Sequence, residues 1–162
     1  YQRVPRVDAT GQGTASAGVS DVPDAPIIDW EVFQQARTEL GAEFIRILGY
    51  FREDGTKSVA AIEAAVRANS AVALVIPAHT LKGEARQFGA DALADLAEDI
   101  ETEARKCVEW RQSPDTLVTE IVKLRPLFDE TLAAFDAETN PLVERRGFGR
   151  APLVANQGFG RI

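Results

Sequence analysis

The chain has 162 residues, 45% of them apolar, and a net charge of −7, which suits one domain with a buried core and length left over for tails. No apolar stretch approaches the ~20 residues a membrane span needs, and no basic-then-apolar leader opens the chain, which begins at Tyr1 and contains no Met. The charge is uneven: residues 141–162 carry +3 and residues 1–26 carry −1, leaving −9 by difference on a middle section that would repel a nucleic-acid backbone.

Residues 1–26 are rich in Gly, Ala, Ser, Thr, Pro and Asp, without a period, and read as a flexible leader. The domain is expected over 27–140. Asp29 can cap a helix over roughly 30–39, with Ile28 able to staple against Phe33 and Gly41 just beyond the end. From 42 to 69, Phe44, Leu48, Phe51, Val59, Ile62 and Val66 keep one helical phase across Asp54-Gly55, so the spacing predicts a single long helix with a soft spot at Gly55.

Ala71 to Ile76 resembles a strand locally. A lone strand cannot satisfy its backbone groups and the chain offers it no partner, so the segment is expected to start a helix capped near Ser70. That helix runs to Phe88, stops at Gly89 and is expected to kink at Pro77. The next, about 91–111, carries Leu93, Leu96, Ala97, Ile100, Ala104 and Cys107 on one face. Cys107, the only cysteine, reads as a small core residue of a protein kept in a reducing cytosol. The last helix begins at Ser113-Pro114-Asp115, carries Leu117 through Phe135, and is expected to kink at Pro126. These elements predict an all-α fold: an antiparallel up-and-down four-helix bundle with a short extra N-terminal helix and flexible tails. The tail over 141–162 is basic and repeats Gly-Phe-Gly-Arg at 147–150 and 158–161.

One constellation carries chemistry. On a regular helix Lys82, Gly83 and Arg86 fall within about 60° of His79, whereas Leu81, Ala85 and Phe88 face the opposite way. His79, the only histidine, should therefore project outward beside two cations and a residue without a side chain; Glu84 points away. A lone helical histidine is most often an unremarkable surface residue. Here a neutral imidazole can act as nucleophile, the cations can neutralise phosphoryl oxygens, and Gly83 leaves room for a partner's active site. A metal centre lacks ligands, and a hydrolytic triad lacks its nucleophile motif.

The run His79-Thr80-Leu81-Lys82-Gly83, then Phe88-Gly89-Ala90, Leu93 and Leu96-Ala97-Glu98-Asp99-Ile100-Glu101, resembles the histidine phosphotransfer (HPt) domain family. The resemblance implies that His79 is phosphorylated, that Lys82 steadies the phosphoryl group, that Gly83 keeps the site open and that Gly89 closes the helix. Glu84, where the family often has a small hydroxyl residue, and Pro77 depart from the pattern. The resemblance further implies a phosphorelay intermediate that exchanges phosphoryl groups with response-regulator receiver domains and is fed by a hybrid histidine kinase. No cofactor of its own is implied; Mg²⁺ is expected on the receiver. Neither nucleic acid nor membrane is expected as a partner, and a cytoplasmic monomer is the simplest form. The alternatives are a phosphotransfer fragment of a larger histidine kinase and a helical adaptor that is never phosphorylated. Val72, Val75 and Ile76 lie on the His79 face and form a candidate docking patch with Lys82, Gly83 and Arg86, unless the first three turn into the core.

Overall fold

The computed structural model describes residues 26–140; the expected leader up to residue 25 and the basic tail from 141 lie outside the described residues. Asp29 caps the first helix, its carboxylate accepting from the backbone N–H of Glu31 at 3.1 Å and of Val32 at 3.3 Å, and α1 spans Trp30–Leu40. A 3₁₀ turn, Gly41–Glu43, leads into α2, Phe44–Arg67. Ser70 Oγ accepts from Ala73 N–H at 3.2 Å and starts α3, Ala71–Gln87, so the strand-like Ala71–Ile76 run is helical as expected. Then come α4 (Asp91–Glu109), a 3₁₀ turn (Pro114–Leu117), α5 (Val118–Ile121) and α6 (Leu124–Thr139). The described residues form an antiparallel four-helix bundle of α2, α3, α4 and the α5–α6 arm, with α1 as the short extra helix. None of these helices is long and apolar enough to cross a membrane.

Two different kinds of packing fill the bundle. At the α1 end, Phe33, Phe44, Phe51, Phe88, Phe128 and Phe135 are all buried and interlock, with Phe33 and Phe135 stacked at 4.9 Å between ring centroids. α3 and α4 share the most extensive interface in the bundle, and their buried residues include the small Ala78, Ala85, Ala94, Ala97 and Ala104 among leucines and Ile100. Small side chains let two helices approach closely, and this closeness lets polar side chains on their outer edges reach each other.

The turns share one device. After α2, α3 and α4 the chain passes through a left-handed residue, Asn69, Gly89 and Arg111 respectively, whose own N–H and that of the following residue donate to the helix's last carbonyls. Gly89 is the position where no other residue fits. Its φ is +76°, and a Cβ there would lie 2.4 Å from the Asp29 carbonyl oxygen, while Asp29 N–H donates to Gly89 O at 2.7 Å. The α3–α4 turn is thus tied to the cap of α1.

α3 is continuous helix through Pro77, whose missing N–H leaves the Ala73 carbonyl without its helical donor. Two sequence expectations change. The last helix is not continuous: it is interrupted at Val122-Lys123, upstream of the kink expected at Pro126. A proline is tolerated in a first helical turn, where its N–H would have no partner, and its ring crowds the carbonyl four residues back, here Val122. Gly55 is not a soft spot. It is buried in unbroken helix, and a Cβ on it would sit 2.5 Å from Phe128 Cε1, so the glycine is the seat on which the Phe128 ring rests.

Gly55→Ala should therefore destabilise the protein, although alanine is the better helix former by ~1 kcal/mol. Overpacking costs about 1–3 kcal/mol, which leaves a net loss of up to about 2 kcal/mol in urea unfolding. A variant more stable than wild type would show that Phe128 moves aside freely.

Candidate functional site

The α3–α4 interface places His79 and Glu101 side by side. His79 lies half a turn beyond Pro77 in regular helix with its side chain 58% exposed, whereas the Glu101 side chain is 7% exposed. His79 Nδ1 is 2.9 Å from Glu101 Oε2. The same carboxylate meets Lys82 Nζ at 2.9 Å through Oε1, and Arg105 Nη2 and Nε at 2.8 and 3.1 Å through Oε2. One buried acid on α4 thus collects donors from both helices.

This arrangement settles the charge state of Glu101. Burial alone would raise its pKa, but hydrogen bonds from Lys82, Arg105 and His79 outweigh burial and hold the carboxyl at about 2, below its ordinary 4.5. An ionised carboxylate can only accept, so the Nδ1 facing it bears the proton. In the neutral ring Nε2 then has a free lone pair, and the ring's exposure presents it to solvent. The carboxylate fixes the ring's orientation and tautomer, as second partners of catalytic and metal-bound histidines do.

The remaining sequence candidates divide. Gly83 is exposed, and a Cβ there would have nothing within 4 Å, so the helix surface beside His79 is open. Val72 and Ile76 are 67% and 69% exposed and extend the His79 face toward the start of α3, whereas Val75 is half-buried against the core. Arg86 does not join Lys82 at the histidine. It bonds Asp95 and Glu98 at 2.9 Å each, and the hydrogen bond it donates to Asp95, opposed by slight burial, raises its pKa. The second cation in the cluster is Arg105. Glu84 faces away as expected; burial first, and the charge of Asp54 second, raise its pKa. Among the described residues no group of three or more His, Cys, Asp or Glu side chains could hold a metal ion.

Glu101 and Arg105 are the two members of the cluster that sequence reasoning missed. A signal existed: Glu101 falls four residues after Ala97 and three before Ala104, on the apolar stripe of α4, where an acid has no reason to be unless it is paired.

A family model described as Hpt domain matches residues 46–137. A solved structure, histidine-containing phosphotransfer protein B (HptB) from Pseudomonas aeruginosa PAO1, is similar at 26% identity, covering 67% of this chain and 96% of that chain with a TM-score of 0.49. No curated protein matches the chain significantly.

The depressed pKa makes a stability prediction. A carboxyl held near 2 in the fold and at 4.5 otherwise contributes stability that is complete above pH 4.5 and fades as the pH falls toward 2. Glu101→Gln should lie below wild type by about 1–3 kcal/mol at neutral pH, the scale of hydrogen bonds to a charged group. Urea unfolding should show the gap narrowing below pH 4.5. Parallel stability curves for the two proteins down to acid pH would contradict the pairing.

Proposed function

The chain belongs to the Hpt domain family, and we propose that it carries a phosphoryl group on His79 Nε2, exchanging it with aspartates of response-regulator receiver domains in a multistep phosphorelay. The observation that supports this reading best is the 2.9 Å contact from His79 Nδ1 to an ionised carboxylate on an otherwise exposed ring. It turns an ordinary surface histidine into an oriented nucleophile.

Transfer follows from that geometry. Nε2 attacks the phosphorus of an aspartyl phosphate in line with the leaving oxygen; the N–P bond forms, the P–O bond breaks, and the aspartate departs as carboxylate with the bonding pair. In the neutral ring Nε2 carries no proton, so none has to leave before attack. The ring's positive charge that results stays on an imidazolium whose Nδ1–H faces Glu101, and the negative carboxylate stabilises it there. Lys82, half-buried and already turned toward the histidine by Glu101, can swing one oxygen-bonding N–H to the phosphoryl group. The reverse reaction hands the group to another receiver. This chain supplies the nucleophile and its electrostatics, while Mg²⁺ and the acidic residues that hold it belong to the receiver.

In this reading a hybrid histidine kinase feeds the relay, the setting is the cytosol, and one chain suffices because four helices close one core. The receiver docks over the open face at Gly83, with the exposed Val72 and Ile76 supplying apolar contact beside the charged cluster. Val75 helps position α3 rather than the receiver.

Incubation with a phosphorylated receiver tests the acceptor. His79→Gln should keep the wild-type melting temperature and lose all acid-labile label; label persisting on that variant would refute the assignment. Gly83→Gln should fold at least as well, since glycine costs a helix up to ~1 kcal/mol, yet transfer poorly because its side chain fills the approach. Unchanged transfer would rule out close approach at Gly83.

The docking patch has its own test. Ile76→Glu should weaken receiver binding about tenfold or more, the cost of losing an interface anchor, without lowering stability. Val75→Glu should instead lower the melting temperature, and the opposite pattern would move the patch to another helix.

A further inference from the structure

On the other side of α4 lies a surface that phosphotransfer does not use. A groove of about 670 Å³ runs between α4 and the α5–α6 arm. Its apolar lining includes Leu96, Pro126, Leu127 and Val122, the last 65% exposed. Acids rim it. Asp95 is paired with Arg86 and Glu120 with Lys123, but Asp99 and Glu130 have no ionic partner among the described residues. A second depression of about 460 Å³ continues the acidic surface past Glu98 and Glu103 and shares Asp99 and Glu120 with the first.

The chain beyond α6 has the complementary chemistry. Pro141-Leu142-Val143 followed by Gly147-Phe148-Gly149-Arg150 recurs eleven residues later as Pro152-Leu153-Val154 and Gly158-Phe159-Gly160-Arg161. Each unit combines an apolar triplet, an aromatic ring between glycines and an arginine. The first unit adds Arg145 and Arg146, and residues 141–162 carry a net +3.

We propose that this C-terminal segment docks into the α4–α6 groove of its own chain. Phe148 and the Leu-Val pairs meet the apolar lining, and the arginines meet Asp99 and Glu130. Charge favours this occupant over a second copy of the bundle, because a body carrying −9 repels itself. Reach allows it: α6 ends at Thr139, nine residues past Glu130, so the chain must return about 14 Å, which about four or five extended residues cover. The groove residue Asp99 is two residues from Glu101, about 200° around α4, so docking leaves the His79 face open to a receiver.

Methyl-detected NMR of the full chain tests this against Phe148→Ala/Phe159→Ala and Arg145→Glu/Arg146→Glu/Arg150→Glu variants. Docking requires that the Val122, Leu127 and Leu96 methyl signals shift in both variants, that those of the core residue Ile62 stay put, and that the wild-type positions survive about tenfold dilution. Spectra that overlay at Val122 and Leu127 would overturn the proposal. So would wild-type shifts that disappear on dilution, because the occupant would then come from a second chain.

Discussion

A carboxylate taken out of water costs several kcal/mol unless donors replace the water, and Glu101 stays ionised in its buried position because three side chains from two helices converge on it. The requirement acts in both directions. The acid needs His79, Lys82 and Arg105, and each of those is oriented by the acid. Every chemically useful property of the site, the tautomer of the ring, the direction of its free lone pair and the position of the nearest lysine, follows from that one buried charge.

The rest of the bundle keeps the two halves of the cluster at the right separation. α3 and α4 share the most extensive interface of the bundle, and five buried alanines on the two helices leave room for a close approach. Gly89 makes the turn between them and is tied to the cap of α1 through Asp29, which fixes how the two helices are joined. The six-phenylalanine cluster holds that end of the bundle rigid, with Phe128 seated on Gly55. A rigid scaffold matters because hydrogen bonds to a histidine orient it only if neither partner can drift.

Much of this was legible from residue order alone. Helical phase and capping residues located α1 to α4 within a few residues, and the absence of a partner strand correctly turned Ala71–Ile76 into helix. What escaped was information that exists only between elements. Gly55 looks like a weak point to helix propensity, yet it is a packing seat because a ring 73 residues later rests on it. Pro126 marks a disturbance, but its steric effect falls on the turn before it. At the site, periodicity put His79, Lys82 and Gly83 on one exposed face, and the same reasoning grouped Arg86 with them; competition from Asp95 and Glu98 on α4 draws Arg86 away. Glu101 was overlooked for a related reason: only its position on an apolar stripe marked it, and its partners are 22 and 19 residues away in sequence or on its own next turn.

If Glu101 holds the Nδ1 proton, chemistry is confined to Nε2. NMR of the chain labelled with ¹⁵N-histidine, phosphorylated by a small phosphoramidate donor or by a receiver, reads the modified position directly through coupling between ³¹P and ¹⁵N. Phosphorus is expected on Nε2 of His79. A phosphoryl group on Nδ1 would contradict it, because that nitrogen could not accept phosphorus while donating to the buried carboxylate.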